Sequence, residues 1–267
     1  MLYIGTSGYY FDDWIGAVYP EKISRSAMIK YYSAVWKFNA VELNFTYYGL
    51  PGYKTIVSMV RKTPSSLVFS VKVPGSITHE GWKNSHFPRE DIKFLLNALE
   101  PMILEKRLKV LLAQFPYSFT YSKENVDYLK KIRDTSTIPI AIEFRHKSWN
   151  TDDVYRFLEE NEMCYVIVDE PQIRNLFPYR PLKTSDISYF RFHGRNSKWF
   201  VSSSERYNYD YSEEELELFK IDIEKLLRKS LDTFVFFNNC YRGKAVKNAI
   251  KLRSMIDNSF FGGYFFQ

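Results

Sequence analysis

The feature that most constrains this fold is an alternation. Short runs rich in β-branched and aromatic residues recur along the chain, each followed by a stretch with helical spacing. Strands are predicted at Leu2 to Thr6, Ala40 to Asn44, Leu67 to Val73, Lys109 to Phe115, from Ile138 onward, Cys164 to Asp169, Ile187 to His193 and Thr233 to Asn239. Helices are predicted near Ser26 to Lys37, Gly52 to Lys62, Arg89 to Leu104, Lys123 to Arg133, Thr151 to Asn161, Glu213 to Arg228 and Gly243 to Met255, with Ser24 and Asn150 as N-caps of the first and fifth. About eight such alternations over roughly 250 residues fit an α/β chain folded as a single (β/α)8 TIM barrel. An open doubly wound sheet is the runner-up, but no GxGxxG follows the first strand. No Gly-, Ser- or Pro-rich linker divides the chain, so residues 1–257 read as one domain and 258–267, NSFFGGYFFQ, as an aromatic tail.

The stretch Ile138 to Trp149, IPIAIEFRHKSW, shows where chemistry is expected. It opens apolar, as a buried parallel strand does, and turns polar at its end. Alternation puts Ala141, Glu143 and Arg145 on one face. Other strands repeat the pattern, so the inward positions near the strand ends are expected to be Glu42, Asn44, Lys72, Gln114, Glu143, Arg145, Asp169, Arg191 and His193, completed by Asn238 or Asn239. The loops after strands one, three and seven are long and rich in Trp, Tyr, His and Arg, whereas the returns from helix to strand are mostly short. In a barrel that asymmetry marks the C-terminal ends of the strands as the active face.

Such a mouth holds three acids, Glu42, Glu143 and Asp169, and three bases, Lys72, Arg145 and Arg191, besides His193. Buried ions must pair, meet water or hold a ligand. A salt-bridge plug explains any one pair; it explains the whole set less well, because barrel interiors are usually apolar. Paired acids raise glycoside hydrolysis, but the ends of strands four and seven carry Gln114 and His193 instead. Glu143, Asp169 and His193 could ligate a divalent metal. Arg145 and Arg191 weigh against it, so neither a metal nor any other cofactor is expected. No GxSxG points to a serine nucleophile. Anion binding has better support: Arg145, Arg191, Arg195 and Arg242 lie at or past strand ends, and the last helix starts near Gly243. A phosphate-like anion is therefore expected beside strands seven and eight, at Arg191, Arg195, Asn238 and Asn239. In the competing arrangement Arg191 pairs with Glu143 or Asp169. Of the histidines, His146 and His193 are better placed than the loop residues His79 and His86.

Composition adds bounds. The formal charge is +6, mildly favouring an anionic partner, without the Lys/Arg run of a nucleic-acid tail. Aromatics reach 18%, which suits a ring-rich core and, secondarily, a groove that stacks sugars or bases. Cys164 and Cys240 form no framework, and MLYIGTSGYY is not a leader peptide, so a cytoplasmic protein without a membrane partner is expected. Nothing assigns an oligomeric state.

The segments IGTSGYYFDDWIGAVYP, VELNFTYYGLP, KVPGSITH, LLAQFPYSF, AIEFRHKSW, VDEP, YFRFHGRN and FNNCYRGKAVKNA resemble the successive signatures of the YecE-like proteins, domain of unknown function 72. The resemblance spans nearly the whole chain. It implies a TIM barrel and no established activity. Carried over by motif, it implies site residues Glu42, Asn44, Lys72, Gln114, Glu143, Arg145, Asp169, Arg191, His193, Arg195 and Asn239. Two function classes stay open. One is an enzyme of hydrolase or lyase type on a phosphorylated, nucleotide or sugar-like anionic substrate, with Glu143 or Asp169 as base and His193 as acid or electrophile. The other is a non-catalytic binder of nucleic acid or another polyanion, using the same arginines.

Overall fold

The computed structural model describes residues 1–84, 87–173, 175–201 and 203–262, with backbone alone at 203–204 and 259–262. Eight parallel strands form one sheet: β1 (Leu2–Thr6), β2 (Ala40–Leu43), β3 (Val68–Lys72), β4 (Leu108–Gln114), β5 (Ile140–Glu143), β6 (Cys164–Asp169), β7 (Ile187–Phe192) and β8 (Asp232–Phe237). Their order is β1-β8-β7-β6-β5-β4-β3-β2, the order of a (β/α)8 barrel. Strands such as CYVIVD in β6 are buried throughout, because the lumen covers one face and helices the other.

The barrel closes at the β1–β2 seam by side chains more than by a ladder. Asn39 accepts from the Ile4 amide and donates to Leu2 O, both at 2.8 Å. Tyr32 Oη accepts from the Thr6 amide at 2.8 Å and donates to Ala40 O at 2.9 Å. A backbone bridge between Ser7 and Glu42 completes the seam, with Gly8 N donating to Glu42 O at 2.7 Å. The approach is so close that a Cβ on Gly5 would stand 1.9 Å from Ala40 O.

Outside the sheet lie α1 (Arg25–Ala34), α2 (Tyr53–Lys62), α3 (Arg89–Ala98), α4 (Glu100–Leu104), α5 (Lys123–Arg133), α6 (Asp152–Glu160), α7 (Ser203–Arg206), α8 (Glu213–Leu227) and α9 (Lys244–Gly262). Three expectations are corrected. The single helix expected over Arg89 to Leu104 is two, because Pro101 cannot supply an N–H inside a continuous helix. The N-cap of α6 is Thr151, whose hydroxyl accepts from the Val154 amide, while Asn150 accepts from Tyr155 Oη instead. No helix joins β6 to β7 among the described residues; Pro171, Pro178 and Pro181 punctuate that link. The last helix, expected to end near Met255, runs on to Gly262, with no Gly or Pro before that residue. The aromatic tail from 263 and the loop residue His86 lie outside the described residues. No helix among the described residues is long and apolar enough to cross a membrane.

The seam makes a prediction. Gly5→Ala forces the strands apart and should lower unfolding free energy by about 3 kcal/mol or more, the upper range for overpacking. Gly49→Ala, with nothing within 4 Å of the added carbon, should be neutral in the same urea titration.

Candidate active site at the barrel mouth

The site is built around Arg191, which β7 aims into the lumen. Its Nε and NH2 donate to the two oxygens of Glu42 on β2 at 2.9 and 2.6 Å, and its NH1 donates to Glu143 Oε2 on β5 at 2.5 Å. Tyr189, two residues earlier on the same face, gives its hydroxyl to Glu42 at 2.7 Å and stands 2.7 Å from Ser70 Oγ on β3. Arg145 repeats the arrangement one level higher. Its NH1 donates to Glu170 at 2.6 Å, and its NH2 stands 2.7 Å from Glu143 Oε1. Those N–H groups are not aimed at Oε1, which accepts no directed hydrogen bond among the described residues. Two guanidiniums thus share three carboxylates.

The charges respond to that sharing. Burial works against ionising Glu143, but Arg145 and Arg191 outweigh it and hold the carboxyl well below the usual carboxylate range. Glu170, the third acid, is pushed up to about 7 by burial despite Arg145. His193 is fully buried, with Nδ1 2.8 Å from Asn238 Nδ2 and Nε2 3.2 Å from Arg145 and 3.4 Å from Glu143. The Arg145 guanidinium can only donate and is aimed at Nε2, so Nε2 accepts and the ring proton lies on Nδ1, facing the Asn238 amide. Burial and the Arg145 guanidinium push this imidazole down to about 3, so it is neutral at pH 7.

Above this network lies a cavity of about 820 Å³. Its walls include Tyr9, Phe11, Tyr47, Tyr48, Trp199 and Tyr207. Its charged lining is Lys72, Arg145, Arg191 and Arg206, without a carboxylate among the described lining residues. Lys72, at the end of β3, donates to Gln114 Oε1 at 2.7 Å and sits 4.3 Å from the Tyr47 ring centre. Burial and then Arg191 push its amine down to about 7. Asn44 also lines the cavity, and its buried Oδ1 accepts no hydrogen bond among the described residues. Trp199 lies 5.4 Å from the Arg145 guanidinium and 5.3 Å from that of Arg206.

The chain matches the family model "Protein of unknown function DUF72" over residues 3–261. This protein belongs to the DUF72 family. It is 30% identical to UPF0759 protein YunF of Bacillus subtilis (strain 168), covering 98% of this chain and 97% of YunF. Among solved structures it is similar to a DUF72 family protein of Thermotoga maritima MSB8, with TM-score 0.92 and 50% identity over 96% of this chain and 99% of that one. A DUF72 family protein of Enterococcus faecalis V583 matches with TM-score 0.85 and 31% identity over 96% of each chain.

In this DUF72 chain the expected residues divide into two clusters. Glu42, Asn44, Lys72, Gln114, Glu143, Arg145, Arg191, His193 and Asn238 gather at the lumen and its mouth. Asp169, Arg195 and Asn239 do not line the cavity. Arg195 clasps Asp169 with three contacts of 2.8–3.1 Å and reaches Glu215 at 2.8 Å. Glu215 is fixed by the capping box that Ser212 begins at α8. Tyr211 donates to Asp169 at 2.7 Å, and Asn239 donates to Tyr209 O and Asn248. The start of α9 is covered too, with Asp13 accepting from the Arg242 amide and Val18 against Gly243. The phosphate expected beside strands seven and eight meets arginines already committed to carboxylates. Glu143, Asp169 and His193 do not converge as metal ligands, because Asp169 faces the second cluster.

Cross-strand register explains the split. Arg191 faces Val168 and Phe236 along the ladders, so Glu170 and Asn238 share its parity while Asp169 and Asn239 face outward with Phe192. Glu170 was thus legible from pairing, though absent from the expected set. His79 does line the mouth, 4.8 Å from the Tyr47 ring centre. His146 instead accepts from the Ser148 amide and packs against Tyr117.

Two substitutions test the network. Glu143→Gln leaves buried guanidiniums short of charge and should cost about 3 kcal/mol or more in urea unfolding. Glu170 acts in the opposite sense. Its carboxyl titrates at about 7 when folded against 4.5 for the free group, so the folded state holds an extra proton between those values. Its contribution therefore makes stability fall as pH rises through that window. Glu170→Gln should remove that slope in urea titrations repeated across it; an unchanged slope would contradict the assignment.

Proposed function

We propose that this DUF72 protein is an enzyme acting on a small anionic, sugar-like substrate bound in the mouth cavity. The carrying observation is the lining itself: cations without a carboxylate, aromatic walls, and at Asn44 a buried acceptor with no protein donor. Cations attract a phosphate or carboxylate group, rings pack against a sugar face, and the orphan acceptor takes a hydroxyl. In this reading Lys72 takes the role of base expected of Glu143 or Asp169. Glu143 is doubly paired and held in its low-basicity form, and Asp169 faces elsewhere. A group titrating near neutral pH, where Lys72 lies, is best matched to proton transfer there. His193, neutral and hydrogen-bonded to Asn238, accepts from Arg145 and acts as its orienter. The two free, buried cysteines support a reducing, cytoplasmic setting as part of the same proposal.

Thermal-shift and calorimetric titrations with sugar phosphates, uronic acids and their neutral parents test this. The anionic members should bind at millimolar affinity or better, and the neutral parents at least about tenfold more weakly, the loss of one charge-assisted contact. Asn44→Ala should weaken the sugar anions several-fold and leave inorganic phosphate unaffected. Equal binding of neutral and anionic sugars would overturn the reading. Tight, steeply salt-dependent binding of oligonucleotides with no response to small sugars would point to a polyanion binder instead.

A further inference from the structure

Lys72 is the only lysine among the described lining residues of the cavity. Its nitrogen is held in place without being neutralised. Gln114 Oε1 accepts one of its protons at 2.7 Å, and the Tyr47 ring lies beneath it. No carboxylate among the described residues stands within ion-pair distance, while the fixed charges of Arg191 and Arg145 oppose a further positive charge. We propose that Lys72 captures the carbonyl group of an anionic aldehyde or ketone as an imine. This rests on the reading of the cavity as an anionic-substrate site and narrows it to carbonyl compounds.

The geometry supplies what the step requires. Burial and Arg191 bring the Lys72 amine to about 7, so a free lone pair exists at neutral pH. A neutral amine can keep one N–H on Gln114 and turn its lone pair to the cavity. Arg145 and Arg206 line the same space and can hold the phosphate or carboxylate arm, while Asn44 accepts from a hydroxyl. The nitrogen pair attacks the carbonyl carbon and the C=O π pair moves to oxygen. One nitrogen proton passes to that oxygen. The second leaves with the hydroxyl as water, so amine plus carbonyl gives imine plus water with no redox partner. His79 is the nearby carrier for those protons: it packs on the same Tyr47 ring, and burial with Lys72 pushes it down to about 4, leaving it neutral. A protonated imine then withdraws electrons from the neighbouring carbon, which opens aldol-type cleavage or isomerisation.

The test incubates the full chain with glyceraldehyde 3-phosphate or dihydroxyacetone phosphate and sodium cyanoborohydride, followed by peptide mass mapping. One reduced adduct per chain is expected, on Lys72, with its rate rising through about pH 7 and levelling above. At pH 7 the free-amine fraction of such a lysine exceeds that of an ordinary one by about a thousandfold, so labelling should be selective. Lys72→Arg and Lys72→Met should each abolish it while melting as the parent does, within a few degrees. Neutral glyceraldehyde should label Lys72 about tenfold more slowly. Adducts scattered over surface lysines, or neutral and anionic aldehydes reacting alike, would overturn the inference. The non-carbonyl anion 3-phosphoglycerate separates the two readings. If it raises the melting temperature while Lys72 stays unlabelled, imine formation fails and the anionic-substrate site stands. If it neither binds nor does Lys72 react, both fail.

Discussion

Arg191 is gripped from two strands at once, by Glu42 on β2 and by Glu143 on β5, and the rest of the mouth depends on that grip. A guanidinium has a rigid fork of donors, so it fixes both carboxylates in one plane geometry. Glu143 is then shared with Arg145, and Arg145 with Glu170, which extends the network from the lumen to the β6–β7 link. Phe177 N donates to Glu170 Oε1 and to Arg145 O, so that link is docked by the same charges. Such a buried network is poor value as a stabiliser, since apolar residues of equal volume serve as well. What it does supply is a rigid, water-excluding floor of fixed charge beneath an open cavity.

That floor sets the chemistry above it. Lys72 leaves β3 at the point where the lumen opens, too buried to be an ordinary surface ammonium and too close to Arg191 to be a comfortable one. Glu170 is the acid counterpart, last to share the available guanidiniums. Both groups owe their shift first to burial, reinforced at Lys72 by Arg191 and opposed at Glu170 by Arg145. Sequence places these residues at or just past strand ends, parallel strands deliver them to one mouth, and burial then shifts their titration towards neutral pH.

Much of this was legible in the sequence. Each observed strand overlaps its expected run, because buried parallel strands are continuous apolar runs between turn signals. The inner residues Glu42, Lys72, Gln114, Glu143, Arg145 and Arg191 followed from alternation within single strands. Alternation failed at the ends of β6 and β8. Asp169 is the last residue of β6, yet it is Glu170, one step on, that shares the parity of Arg191. The same step separates Asn238 at the mouth from Asn239 behind it. Only pairing between neighbours fixes that phase, and a lone strand does not carry it. The aromatic walls and His79 come from the links that follow the strands, where helical turns of a few residues are too short to show a period. The phosphate site expected at Arg195 was lost to Asp169 at the end of β6 and to Glu215 on α8, partners 26 and 20 residues away in sequence.

The proposed site for an anionic, hydroxyl-bearing molecule in the mouth cavity is tested most directly by a crystal soaked in a sugar phosphate. Density is predicted inside the cavity, with a hydroxyl on Asn44 Oδ1, the anionic group against Arg145 or Arg206, and Arg191 still paired to Glu42 and Glu143. Density confined to the exterior or to the Asp169–Arg195–Asn239 cluster, or a ligand that draws Arg191 away from its carboxylates, would contradict it.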